Sequence, residues 1–244
     1  ARPGAAKRSR PAWGIGAAVL ALVTAAACGL LASLALSVLL PPGLAGTSDA
    51  PGAVLIAGVA LAQALGALGV GAWATSPRRG RGGSGLAAEV GLRVRAVDLA
   101  AGAALALVAL PVLGLAISLL VAAGLLDLRD VDNTSLLFAG AERGADFLLV
   151  AASAALLAPL WEEVMFRGLL LRSLRRRLGT VPGVVLSSAA FGLLHAQPGR
   201  GLALVLVTGA LGVLFAVVTV RAGRLGPAIV AHAVFNGTTV LLAA

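Results

Sequence analysis

The sequence predicts an all-α fold, a polytopic bundle that crosses a membrane about seven times, and three observations lead to it. A mean hydropathy of +1.01, with 59% hydrophobic and 12% charged residues over 244 positions, lies outside the range of soluble globular chains. Most of the apolar runs are about 20 residues or longer, enough for a helix to span a bilayer, whereas a barrel would show runs of about ten residues with alternating polarity. Ala, Leu, Val and Gly dominate, with 32 glycines, as suits helices that approach closely where lipid offers no hydrophobic drive between them.

The charge of +9 and the pI near 11.7 raise the question of a nucleic-acid partner. The basic residues instead cluster in short segments between apolar runs, where they set topology and meet anionic headgroups. No basic face interleaved with aromatics accompanies them, so nucleic-acid binding is not expected. Cys28 is the single cysteine, which excludes an internal disulfide and a cysteine metal cluster. Its expected role is lipid-facing or packed filler. The apolar run around it continues to residue 40, too long for a signal-peptide core, and Ala25 stands where a lipoprotein site would carry a larger aliphatic residue. Arginine outnumbers lysine and Ala and Gly abound, which suggests a GC-rich genome and a bacterial cytoplasmic membrane.

In chain order, residues 1–11 carry Arg2, Lys7, Arg8 and Arg10 among Pro and Gly and read as a disordered, basic, cytoplasmic leader. The segment 12–97 holds two N-terminal spans and a basic cytoplasmic loop, and 98–244 is the expected transmembrane core. The first span covers residues 12–40, with Trp13 at the interface, and ends at Pro41-Pro42, which cannot continue a helix. The linker 41–51 contains Asp49 and no basic residue, so it is read as external. A second span over 52–74 closes at Trp73. The basic loop from Arg78 to Arg95 is cytoplasmic, and 87–95 has the makings of a surface helix. The third span follows Asp98 and reaches residue 126, with a kink expected at Pro111. An acidic external loop (Asp127, Asp130, Asp132, Glu142, Asp146) leads to the fourth span, 147–171, which ends at Arg172, Arg175, Arg176 and Arg177. A short fifth span covers 181–195 before Gln197-Pro198-Gly199. The sixth covers 202–220, ahead of Arg221 and Arg224, and the last 228–242. Counting arginines and lysines loop by loop puts the N-terminus inside and the C-terminus outside.

Trp161-Glu162-Glu163-Val164-Met165-Phe166-Arg167 interrupts the fourth span with three charges. On insertion scales a charge at bilayer depth costs roughly 2.5–3.5 kcal/mol, so such groups point to function. Both histidines of the chain, His195 and His232, also fall in spans, as does Asn236. Glu163 and Arg167 are i,i+4 with the carboxylate first, the favourable order for an ion pair. Glu162 is turned away from Glu163 by about 100° and is left for another partner. Phe191 with His195, and His232 with Asn236, share helix faces in the same way. At roughly 1.5 Å per residue, Glu162, His195, His232 and Asn236 lie roughly 14, 21, 12 and 18 Å from the cytoplasmic side, one broad layer. A carboxylate, two imidazoles and an amide in a wet pocket suit hydrolysis. Glu162 would act as general base on a water that His195 helps to hold, and His232 and Asn236 would donate to an oxyanion.

In that order, Glu162-Glu163-x-x-x-Arg167, Phe191-x-x-x-His195 and His232-x-x-x-Asn236 resemble the three main motifs of the CAAX protease and bacteriocin-processing family, also called Abi proteins. The resemblance covers roughly residues 148–241, including Gly209 and Gly212 of the sixth span and the Arg224-Leu225-Gly226-Pro227 approach. It implies an intramembrane glutamic endopeptidase with a site open to the cytoplasm. By position, Glu162, His195, His232 and Asn236 would be catalytic, and Glu163 and Arg167 supporting. The expected partners are the lipid bilayer and a peptide or membrane-protein substrate. No cofactor is expected. A zinc site built from Glu162, Glu163, His195 and His232 is disfavoured because no His-Glu-x-x-His helix is present and adjacent carboxylates on a helix point apart. A catalytically idle scaffold or immunity protein is the alternative from another class, and a proton-coupled transporter a third.

Overall fold

The computed structural model describes residues 13–46, 52–76, 85–128, 144–196 and 202–243. The leader, the Arg78 to Arg81 cluster, Asp49, most of the acidic loop and Gln197-Pro198-Gly199 lie outside the described residues. The described residues form an all-α, polytopic bundle of α1 (Ile15–Leu39), α2 (Pro42–Ala45), α3 (Ala53–Ala74), α4 (Leu86–Val90), α5 (Ala96–Ala122), α6 (Ala145–Leu178), α7 (Thr180–Leu194), α8 (Leu202–Ala222) and α9 (Gly226–Ala243). Among them α1, α3, α5, α6 and α8 are long and apolar enough to cross a membrane, while α7 and α9 are shorter apolar helices.

Small residues at three- and four-residue spacing bring the helices together. Ala18, Ala21, Ala25 and Gly29 are buried on α1, and Ala64, Ala67, Gly71 and Ala74 on α3, so the two helices meet along flat faces. A Cβ at Gly66 would lie 2.8 Å from Cys28 Sγ, which makes Cys28 a packed residue of this seam. On α5, Gly102 lies against Val230 of α9, 2.6 Å from Cβ to a built Cβ. Gly192 and Gly209 bring α7 and α8 into backbone contact, and Gly212 faces Ser188 and Phe191, as expected of helix-contact glycines. The opposite faces carry exposed aliphatics, Leu30, Leu31 and Leu34 on α1 and Leu107, Val108, Val112, Leu115 and Leu119 on α5. In a bilayer this is the side that meets lipid.

Three boundaries differ from expectation, two for a local reason and one for a contact distant in sequence. The surface helix stops at Val90, well short of Arg95, because Gly91 takes the left-handed conformation (φ +70°) and terminates it. The fourth span does not end at the arginines: α6 continues through them to Leu178 and stops at Gly179 (φ +91°). There Arg176 donates to the Trp13 carbonyl at 3.1 Å with its guanidinium 4.3 Å from the Trp13 ring, and Trp13 Nε1 donates to Glu89 at 3.4 Å.

The third difference is Asp98. Expected outside the third span, it sits in the first turn of α5, fully buried, and accepts from the Arg95 backbone N–H at 2.9 Å. Arg224, in the turn between α8 and α9, donates to it through Nε at 3.0 Å and also through Nη2. A side chain at Gly226 would collide with the Asp98 carboxylate, so this glycine permits the approach. The same turn is held by Leu225 N–H on the Gly91 carbonyl (3.0 Å) and by Arg172 Nη2 on the Gly223 carbonyl (3.3 Å). These bonds fix where α9 begins. Asp98→Ala should therefore lower the thermal midpoint by several degrees, and Arg224→Lys, which keeps a charge but loses the planar fork, by less. Equal midpoints in wild type and Asp98→Ala, followed by circular dichroism in detergent, would refute this role.

Candidate active site

The site lies where α6, α7, α8 and α9 converge, and two irregular turns in α6 shape it. Pro159 brings no N–H to the helix, and the turn before it widens to a π-helix over Ser153–Leu157, in which Ala158 N–H donates to the Ser153 carbonyl. The Ala154 carbonyl is thereby left without its usual helical donor. Asn236 of α9 supplies one: its Nδ2 donates to Ala154 at 2.9 Å. A second π segment, Val164–Leu170, begins immediately after the two glutamates and is closed by Leu171 N–H on the Phe166 carbonyl.

Glu163 and Arg167 form the expected ion pair, with Arg167 Nη1 donating to Glu163 Oε1 at 2.9 Å. Both are sealed off, at 0% and 1% exposure. Arg167 Nη2 donates to the Gly212 carbonyl at 3.1 Å, and the guanidinium lies 4.3 Å from the Phe191 ring and 5.3 Å from that of Phe215. An aromatic cage of this kind compensates a guanidinium that water cannot reach. The pair also reaches α9. His232 Nδ1 stands 2.9 Å from the same Glu163 oxygen. An ionised carboxylate only accepts, so Nδ1 carries the proton and the imidazole is oriented by Glu163. Glu163 thus bridges Arg167 and His232.

Glu162 points elsewhere, as the helical period requires. It is buried, its Oε2 has no hydrogen-bond partner among the described residues, and it lies 3.8 Å from His232 Nε2. His195 caps the C-terminus of α7, and its Nδ1 is 2.9 Å from the Phe191 carbonyl. A carbonyl accepts only, so Nδ1–H donates and Nε2 keeps its lone pair when the ring is neutral. Phe191 packs edge-on to Phe166 (5.1 Å between centroids), lies 4.8 Å from His195 and 5.8 Å from His232, while Phe215 stacks on His232 at 4.8 Å. The rings fix both imidazoles.

A cavity of about 590 Å³ joins these residues: Glu162, His195, His232 and Asn236 all line it, and Glu163 and Arg167 lie behind its wall. The four residues singled out by sequence thus line one cavity, and Glu163 and Arg167 are not among its lining residues. Sequence reasoning missed Ser153, Thr208, Thr239 and Gln63 on the same wall, and the stacking of Phe215. Of these only Gln63 carried a signal, as an amide inside an apolar run.

Residues 144–238 match the sequence model described as "Type II CAAX prenyl endopeptidase Rce1-like". No curated protein and no solved structure matches the chain. The match spans every one of the six site residues, from the two glutamates of α6 to Asn236 of α9. With the motif order and the convergence on one cavity, residues 144–238 are similar to the Rce1-like type II CAAX prenyl endopeptidases, consistent with the wider CAAX protease and bacteriocin-processing family.

Proposed function

We propose that the chain is an intramembrane glutamic endopeptidase, hydrolysing a peptide bond of a membrane-associated or lipidated peptide with a water activated by Glu162. The observation that carries this reading is the bare, buried Oε2 of Glu162 on a cavity wall shared with His195, His232 and Asn236. An acceptor at that place, in a cavity that also holds an acceptor at His195 Nε2, would take a hydrogen of a water and direct its lone pair at a carbonyl carbon.

In the attack a new C–O bond forms as Glu162 takes the water's proton. The carbonyl oxygen becomes an oxyanion, which accepts from His232 Nε2–H in its imidazolium form and from the Asn236 N–H not used by Ala154. Glu163 stabilises that imidazolium through Nδ1, and donors of this kind are typically worth about 2.7–4 kcal/mol each. Collapse breaks the C–N bond, and Glu162 returns the proton to the leaving amine. No step calls on a metal, since every role is filled by a side chain. The arginines at the end of α6 and in the α8–α9 turn support a site reached from the cytoplasmic side of a bacterial inner membrane, with seven spans, the N-terminus inside and the C-terminus outside.

The test uses the full chain in liposomes with a quenched farnesylated peptide ending in cysteine, two aliphatic residues and a variable residue, and the same peptide without lipid. Cleavage at a single bond that survives a strong chelator is the expected result. Cleavage lost on chelation and restored by zinc would replace the glutamate mechanism with a metal one. Membrane proteomes of wild-type and Glu162→Gln cells test the activity with no assumed substrate, and identical proteomes would favour a catalytically idle scaffold.

A further inference from the structure

The cavity extends beyond the family domain. Part of its wall is built by α1 and α3, which precede residue 144, and there it presents two polar side chains, Ser33 and Gln63, among aliphatics such as Val59 and Ile56. Gln63 is the eleventh of the 22 residues of α3, roughly 15 Å from either end and so at mid-bilayer depth. It is half-buried, and its carboxamide has no hydrogen-bond partner among the described residues. In hydrocarbon such a group costs several kcal/mol unless something pairs with it.

The neighbouring helix makes room for this side chain. A Cβ at Gly29 would lie 2.8 Å from Gln63 Cγ and 2.9 Å from Nε2, so the bare backbone of α1 is the floor across which Gln63 reaches the cavity. Ser33 is one turn further along the same face of α1. A carboxamide holds one acceptor and two donors in a plane, the complement of a peptide group, and Ser33 adds a hydroxyl beside it.

We propose that Gln63, assisted by Ser33, binds the main chain of the substrate: Oε1 accepts a substrate N–H, Nε2 donates to a substrate carbonyl, and an extended segment with unmodified amides is held in the cavity that Glu162 serves. This inference rests on the endopeptidase reading, and it assigns substrate binding to helices outside the family domain. The surrounding aliphatics take the apolar side chains. Gln63 touches the main chain and no reacting atom, so it contributes equally to ground and transition states.

The experiment compares wild type with Gln63→Met, which keeps length and packing on Gly29 but removes the amide, and with Ser33→Ala. The full chain is reconstituted in liposomes, and the probe is the quenched farnesylated peptide, used with unmodified amides and with each amide flanking the cleaved bond N-methylated in turn. Gln63→Met should raise KM about tenfold with kcat within about twofold, and Ser33→Ala should raise KM about threefold. For one of the methylated peptides, wild type should lose the same factor and Gln63→Met should lose nothing more, because the bond is already gone. A KM unchanged in Gln63→Met, or factors that multiply for every methylated peptide, overturns the assignment and leaves the cavity as a site for lipid chains alone. Full cleavage by Glu162→Gln would sink the glutamate mechanism and spare the assignment. A wild-type chain that neither cleaves nor binds the probe overturns both.

Discussion

Glu162→Gln should reduce peptide hydrolysis by on the order of 10⁴-fold, the upper range of what one general base supplies, while the chain still inserts and folds. The substitution keeps the volume and one acceptor but removes the charge that, in the proposed mechanism, takes the water's proton. Its structural consequence should be slight or favourable. Glu162 Oε2 makes no hydrogen bond among the described residues, so none is lost there. Removing a buried carboxylate with no hydrogen-bonded partner at that oxygen relieves desolvation, and a midpoint equal to or above that of wild type is the expected signature of a residue kept for chemistry. Activity that survives the substitution would remove Glu162 from the mechanism, and a large drop in midpoint would make it a structural residue. The pair of readings, activity in liposomes and thermal midpoint in detergent, separates the two.

That Glu162 could be singled out before any fold was known follows from the cost of charge in a membrane. Among so few polar groups within the spans, each of Glu162, His195, His232 and Asn236 stood out by type alone, and the i,i+4 rule sorted Glu163 with Arg167. Helical periodicity speaks only within one helix, which is why it stopped there. The bond between Glu163 and His232 joins residues 69 apart, and it depends on how α6 and α9 pack. Asp98 was misplaced for a related reason. A single acidic residue at the edge of an apolar run reads as a solvated boundary, and only the arrival of Arg224, 126 residues later, makes its burial possible. The first π segment of α6 had a cue in Pro159, but the partner that donates to the displaced Ala154 carbonyl is again on α9. Gln63 was visible as a polar residue in a span. Its meaning required the cavity, because an amide at mid-membrane is equally at home in a helix contact until its neighbours are known to leave it unpaired.

Glu163→Gln should cost about 3–5 kcal/mol of stability, since it leaves the fully buried Arg167 guanidinium without a counter-charge. It should also lower hydrolysis at least a hundredfold, but loss of activity in that variant alone has two possible sources. The double variant Glu163→Gln with Arg167→Met distinguishes them. Replacing both members of a buried ion pair with neutral groups removes the unpaired charge along with the pair, and such replacements are often neutral or stabilising. Most of the lost stability should return, as measured by unfolding in detergent. Activity should not return under the proposed mechanism, in which Glu163 stabilises a His232 imidazolium that faces the oxyanion through Nε2. The split is expected because one carboxylate oxygen accepts from Arg167 and also lies 2.9 Å from His232 Nδ1. Recovery of stability and activity together would return Glu163 to a purely structural role. Recovery of stability alone would make it the residue that orients His232 for the reaction.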